Sequence, residues 1–355
     1  MHQVMIHPAT YDNCRKAVDR AFELFPQPLK GKKVVIKPNA LRISRADEHV
    51  VTHPAVLRAV VDKVEELGPA EIVVGDNPGL HNYGDNYKTF EKTGLLEAAK
   101  GYYHNLGDDS RQVDFNEEFI PRVGVSAKIL DADVLISLPK FKTHGLTVLT
   151  GAIKNNYGLL PGAQKARLHM LAGSPARFND LVVDVFRLRI PDLFIMDAVV
   201  GMEGNGPASP DLREIGVILA ADNGVALDGV VARMMGVEPG SLRFLEKARA
   251  AGLGDYAEDM LEIVGNLFTL PDFKLPPLAG AGIASNAAIA ERMHKTIQLR
   301  PQADPDLCSS CGACIEQCPV SALHMEGDIP LVTEELCITC FCCQEICPEQ
   351  AITLR

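Results

Sequence analysis

No run of eighteen consecutive apolar residues occurs in the 355-residue chain, so no membrane-spanning helix is expected. A basic surplus is missing as well. Lys and Arg number 35 against 46 Asp and Glu, and the formal net charge of −11 has the wrong sign for general nucleic-acid binding. Neither a P-loop nor a Gly-x-Gly-x-x-Gly fingerprint is present, and no flavin-binding motif is visible. The opening Met1-His2-Gln3 carries no basic-then-apolar leader, which places the expected site of action in the cytoplasm, where thiols stay reduced. Cysteine is nearly absent from the first 307 residues: only Cys14 occurs there, and a buried apolar thiol is its ordinary reading.

What the front of the chain lacks, the end concentrates. Cys308, Cys311, Cys314 and Cys318 form one run, and Cys337, Cys340, Cys343 and Cys347 form a second with the same spacing. Each is C-x2-C-x2-C-x3-C followed by proline (Pro319, Pro348), the bacterial-type ligand pattern for a four-iron four-sulfur cluster. Four irons at the corners of a cube need thiolates converging from different directions. Three can come from one tight loop, and the fourth crosses over from the other run. The expected ligand sets are therefore Cys308, Cys311, Cys314 and Cys347 for one cluster, and Cys337, Cys340, Cys343 and Cys318 for the other. Proline turns the chain away after each crossing cysteine. Zinc ribbons use paired C-x2-C knuckles without a third cysteine and a C-P in both halves. A disulfide framework would need an oxidising compartment.

Gly312 follows the second cysteine of the first run, where Phe341 stands in the second; the glycine admits close backbone approach and the phenylalanine shields, so the two potentials are expected to differ. Cys342 is an extra thiol beside a ligand. It reads as a small filler turned away from the cluster or as a group with a redox or ligand-swap role. Seven acidic residues against Arg355 alone make the tail acidic from Cys308 onward. That fits docking on a basic partner, or plain solubility.

The remaining 300 residues suffice for a large α/β domain. Val34–Ile36, Ile72–Val74, Val134–Ile136, Leu193–Ile195 and Ile215–Leu219 are short, β-branched-rich and do not alternate, the pattern of strands buried on both faces. A helical stripe from Val56 to Leu67 ends at Gly68-Pro69, and helices are expected over Phe178–Leu188 and Val225–Met235. The alternation predicts an α/β fold: a parallel-rich, doubly wound sheet over residues 1–300, followed by a small α+β ferredoxin-like domain over 301–355. Polar residues follow each strand: Lys37 and Asn39, Asp76 and Asn77, Lys140 and Lys142, Asp197, Asp222 and Asn223. If all five strands point one way, these gather at the carboxyl ends, where such sheets bind ligands; loops are also polar for solubility alone.

From Val134 to Asn179 no Asp or Glu occurs, where the chain average would place about six. The window holds Lys140, Lys142, Lys154, Lys165, Arg167, Arg177, His144 and His169, with Gly145, Gly151, Gly158 and Gly162. A cationic, glycine-rich island in an acidic protein suits an anionic ligand, and equally a solvated face or a docking face for the acidic tail. His144 and His169 are candidate proton donors. His53, just before Pro54 and a helix, reads as a cap. Glu203, among Gly201, Gly204 and Gly206, is a candidate acid or ligand.

Val35-Ile36-Lys37-Pro38-Asn39, Ser137 to His144, Thr150 to Asn155, Met196-Asp197 with Gly201 to Pro207 (Asn205 included), and Ala221-Asp222 with Ala226-Leu227-Asp228 resemble the family catalogued as domain of unknown function 362. The resemblance spans about residues 30–240. Its most specific parts are Lys-Phe-Lys-Thr-His and Gly-Ala-Ile-Lys-Asn, and similar members often carry a ferredoxin-like tail. The tail itself resembles the bacterial two-cluster ferredoxins.

The combined expectation is an iron–sulfur oxidoreductase. Lys37, Asn39, Asp76, Lys140, Lys142, Lys154, Asn155, Asp197 and Asn205 would bind an anionic substrate or cofactor (a flavin is one candidate), and His144, His169 or Glu203 would move protons. A redox protein partner would exchange electrons with the clusters. The alternatives are a non-enzymatic electron carrier docked on a larger redox complex, and a sensing or assembly module with structural clusters.

Overall fold

The computed structural model describes residues 1–78, 86–276, 300–316, 318, 320–337, 342–349 and 351–354. Pro319, Cys340 and Phe341 lie outside the described residues.

Among the described residues, eleven strands belong to the larger part: β1 (His2–Pro8), β2 (Lys33–Pro38), β3 (Glu71–Val74), β4 (Ser110–Asp114), β5 (Arg122–Ser126), β6 (Val134–Leu138), β7 (Lys140–His144), β8 (Val148–Leu149), β9 (Leu193–Met202), β10 (Leu212–Ala221) and β11 (Leu261–Val264). The central sheet runs β11-β1-β10-β9-β6-β2-β3, with β7 and β8 attached beside β9, and β4 and β5 form a separate hairpin. The chain is thus α/β with a mostly parallel central sheet: β3, β2, β6, β7 and β9 are parallel neighbours.

Strand residues alternate between two cores. Val35, Leu135, Phe194 and Met196 pack on one face against the helices Gly151–Asn155, Pro175–Leu188 and Gly224–Met234. Ile36, Ile136, Leu193 and Ile195 pack on the other against Cys14–Leu24 and Pro54–Glu66. Both faces are dry, so the strands carry apolar residues at every position instead of alternating. Each such side chain contributes roughly 1.5–3 kcal/mol by its burial.

The expected strand order of polarity needs one correction. β10 runs antiparallel to β9, and β1 antiparallel to β10. Asp222 and Asn223 therefore leave the sheet at the end opposite the other polar groups, and Asn223 caps the helix Gly224–Met234 by accepting from Val225 N and Ala226 N. Asp197 is also not beyond its strand but inside β9. β1 and β7 were not legible as strands. The Lys-Phe-Lys-Thr-His block is β7, which continues the lane of β6 along β9 after Pro139, a residue with no amide hydrogen for the ladder.

The tail repeats itself. Cys308 N bonds Asp304 O and Cys337 N bonds Thr333 O; Asp304 N bonds Ala351 O and Thr333 N bonds Ala322 O. Ala322 N donates to Cys318 Sγ at 3.1 Å and Ala351 N to Cys347 Sγ at 3.2 Å. The bonds within a half recur 29 positions on (304 to 333, 318 to 347), and those between halves are exchanged across the same offset. The strands are exchanged between halves as well: Pro301–Ala303 pairs with Ile352–Leu354, and Leu323–Glu326 with Ile329–Val332. Neither half closes alone, which accounts for two cysteine runs of one spacing.

Candidate functional site

β2 and β3 are parallel neighbours, so their ends deliver Asn39, Asp76 and Asn77 to one place. These three line a cavity of about 90 Å³. Lys37 lies beneath, fully buried, with Nζ 2.8 Å from Asp76 Oδ1 and 3.3 Å from Asn155 Oδ1. Burial pulls the Lys37 ammonium below its ordinary value, and Asp76 opposes that shift. Asp76 also accepts from Ala40 N and Asn77 N, so its carboxylate is the hub of the floor.

Gly158 presses the turn Asn156–Leu159 onto this ion pair. A Cβ there would sit 2.1 Å from Asp76 Oδ1 and 2.7 Å from Lys37 Nζ, so no other residue fits. The short helix Gly151–Asn155 brings Lys154 and Asn155 to the cavity. Its first amides, Ala152 N and Ile153 N, donate to Asp228 at 2.6 and 3.0 Å. Burial pushes the Asp228 carboxyl up to about 7, against the pull of those two amides. The helix Gly162–Ala172 contributes Lys165 and His169, one turn apart on one face.

Two cavity lysines have unusual surroundings. Lys142 Nζ donates to Val50 O at 2.7 Å, and Lys165 Nζ to the carbonyls of Asn77 and Pro78. Neither meets a carboxylate among the described residues. Burial, then the neighbouring Lys154 and Lys140 ammoniums, drive Lys142 well below the ordinary lysine value. Burial lowers Lys165 to about 7. Lys154 stands 5.7 Å from the Tyr157 ring centroid and 5.9 Å from that of Phe178. His169 lies edge-on to Tyr157 and 4.2 Å from the Phe178 centroid. An anion in this cavity would restore protons to lysines that burial now disfavours as cations.

Of the residues expected at one site, Asn39, Asp76, Lys142, Lys154, Asn155 and His169 line the cavity, with Lys37 directly under it. The others sit elsewhere. Lys140 and Asp197 are both fully buried and pair at 2.7 Å beneath Tyr11, whose hydroxyl is 3.2 Å from Lys140 and 3.3 Å from Asp197. Asp197 also accepts from His53 N, and His53 caps its helix through Ala55 N as expected. His144 is fully buried, and its Nδ1 accepts from Leu146 N and Thr147 N in the turn after β7. Glu203 pairs with Arg213 at 3.1 Å and accepts from Lys274 N. Asn205 lies by the Gly145 turn, two residues before Pro207, which does reach the cavity. Three cavity residues escaped the expectation as site groups: Lys165, Thr150 and Cys342. Lys165 carried a legible signal, four residues before His169 on one helix. Cys342 carried none, because only the docking of the tail brings it there.

Cys308, Cys311, Cys314 and Cys347 line one cavity. Burial, and then the neighbouring Cys347, Cys311 and Cys308, push the Cys314 thiol up to about 11, so four thiolates here call for a cationic centre. Among the described residues no group of His, Cys, Asp or Glu could hold a single metal ion. Four sulfurs spread around a cavity fit a cubane with one iron per corner. Cys318 and Cys343 pack in the tail's small core with Cys314 and Cys347, while Cys340 is outside the described residues. The helix Cys342–Ile346 carries Cys343 on one side and presents Cys342 and Ile346 as a wall of the lysine-lined cavity.

Residues 300–348 match a 4Fe-4S dicluster domain, so the tail is an iron–sulfur, electron-transfer module. A thylakoid-associated protein of Synechocystis sp. is 31% identical over 256 residues, covering 69% of this chain and 78% of that protein. Among the described residues no helix is long and apolar enough to cross a membrane. Two solved structures share 12% identity: a Thermotoga maritima protein (TM-score 0.41, 69% of this chain) and the lactate racemase apoprotein of Thermoanaerobacterium thermosaccharolyticum (TM-score 0.43, 67% of this chain). The chain spans 60% and 57% of their lengths. Residues 34–233, more than half of the chain and the part that builds the cavity floor, match the model of domain of unknown function 362, and the protein belongs to that family.

Proposed function

We propose that this protein is an iron–sulfur oxidoreductase in which two 4Fe-4S clusters in the tail (residues 301–355) exchange electrons with an anionic ligand held in the α/β part (residues 1–300). The observation that carries the reading is the shared wall. The helix Cys342–Ile346 carries Cys343, a cluster ligand in this reading, and lines the cavity, which would make a redox centre and a cation-rich binding site neighbours. The clusters supply single electrons. The chain's own residues supply the rest. Lys142 and Lys165 hold the anion, Asn39, Thr150 and Asn155 orient it, and His169, at the cavity wall, is placed to move a proton. Ile346 and Tyr157 exclude water from the ligand's apolar side. In this reading Cys343, on the helix that walls the cavity, belongs to the cluster nearer the ligand. In the set Cys308, Cys311, Cys314 and Cys347, Cys311 is exposed and would give a redox partner access. The reduced cytoplasm is the compartment in which such exposed clusters would persist.

The test begins with anaerobic purification and an iron count, where roughly eight irons per chain are expected. A redox titration then follows with inorganic phosphate as probe anion. Phosphate should lower a cluster potential in the native protein and leave Lys142→Ala/Lys154→Ala unmoved. An iron-free protein, or potentials indifferent to both anion and substitution, would defeat the reading.

A second reading, an electron carrier docked on a larger complex, is favoured by one feature. Leu307 and Leu336 are about half exposed at equivalent positions of the two tail repeats, beside Asp306 and Glu335. Tight association with a partner, and no response of the clusters to small anions, would select it.

A further inference from the structure

Resting on the anion-site reading, the cavity's polar groups specify more than charge. Asn39 Nδ2 donates to Asn155 Oδ1 at 3.0 Å. The orientation of both carboxamides is forced. Lys37 Nζ lies 3.3 Å from the same Asn155 atom, and an ammonium only donates, so that atom is oxygen. The Asn155 nitrogen then bonds Ser137 Oγ at 2.9 Å. Asn39 must turn its nitrogen to Asn155 and keeps its oxygen over. That oxygen has no hydrogen-bond partner among the described residues, although Asn39 is only 8% exposed and lines the cavity. Thr150, 2% exposed on the same cavity, has an unpartnered hydroxyl. Buried polar groups in folded proteins are nearly always bonded, so a pair of exceptions in one cavity points to a ligand.

The two groups ask for different things. The Thr150 hydroxyl can donate to an anionic oxygen, as Lys142 and Lys165 can. The Asn39 oxygen can only accept. A bare carboxylate or sulfate, all acceptor, would leave it unpaired. An ammonium would donate to it, but the cavity lysines repel a cation. A neutral hydroxyl close to the anionic group meets both demands. We propose that the cavity takes a hydroxylated organic anion, with Lys142, Lys165 and Thr150 on the carboxylate or phosphate and Asn39 Oδ1 accepting from the adjacent alcohol.

The test uses the anaerobic holoprotein and two matched probe pairs, malate against succinate and glycerol 3-phosphate against propyl phosphate, with binding measured by calorimetry. In at least one pair the hydroxylated member should bind tenfold or more tightly, because a site built around an acceptor penalises the ligand lacking the hydrogen. That ratio should collapse toward unity in Asn39→Leu, which keeps the shape and loses the acceptor. Asn39→Asp retains an acceptor, so it should keep the preference while weakening every anion; this arm stands if the leucine variant fails to fold. Equal binding within both pairs, or a preference that survives Asn39→Leu, overturns the proposal. If all four probes bind equally and Lys165→Met abolishes them, the anion site stands and the hydroxyl inference alone falls. If none binds, both fall.

Discussion

Two groups of buried lysines, Lys37 with Lys140 and Lys142 with Lys165, do opposite things. Lys37 and Lys140 each meet a buried carboxylate, Asp76 and Asp197, at 2.8 and 2.7 Å. Lys142 and Lys165 are equally hidden, yet they meet only backbone carbonyls. The first pair is electrostatically complete: Lys37 ties β2 to the loop after β3, and Lys140 ties β7 to β9. The second is cation-rich and incomplete, as a site for an anion must be before the anion arrives. Burial alone therefore does not mark function in this protein; the identity of the partner does.

The sharpest way to break this contrast is to remove one member of a completed pair. Lys140→Met leaves Asp197 charged and buried and should cost about 3–5 kcal/mol in denaturant unfolding. A loss below ~1 kcal/mol would mean that the pair is not structural. Gly158→Ala should come next, at roughly 1–3 kcal/mol, since a methyl cannot fit against Asp76 and Lys37; unchanged stability would show that the turn yields. Lys165→Met belongs to the other class. Removing a cation that burial disfavours should leave stability unchanged or raise it by ~1 kcal/mol, while phosphate binding falls at least tenfold. Destabilisation on the Lys140 scale would erase the distinction.

pH sharpens the same comparison. The Lys165 value in the folded chain, about 7, lies below its ordinary 10.5. Between those limits the unfolded chain binds more protons, so this group makes stability rise with pH across that interval, by up to ~1.4 kcal/mol per unit. Below pH 7 both states hold the proton and the burial penalty is constant. Anion affinity moves the other way: above pH 7 binding must take up a proton, so Kd should rise toward tenfold per pH unit and flatten below 7. Lys165→Met should abolish that slope, and a slope persisting in the variant would assign it to another group.

The tail offers a smaller effect. The hydrogen bonds described for its halves correspond, but Gly312 stands where the second run has Phe341, so the two clusters should titrate at separable potentials. Gly312→Phe should narrow the gap, and a single unresolved potential in the native protein would remove the distinction.

By itself the sequence determined five strands of the central sheet, several long helices and the iron–sulfur character of the tail. Apolar runs without alternation marked β2, β3, β6, β9 and β10, the helix Pro54–Glu66 stood out from its stripe and its Gly68 stop, and cysteine spacing marked the tail as an iron–sulfur module, because each depends on residues near one another in the chain. Only the tertiary structure decided the polarity of β10, the pairing of Lys140 with a carboxylate 57 residues away, and the placing of Cys342 against a cavity built by residues 39 to 207. Those outcomes depend on which distant groups share a low-dielectric space. Charge balance there is settled between neighbours in space, and no local pattern records who the neighbours are.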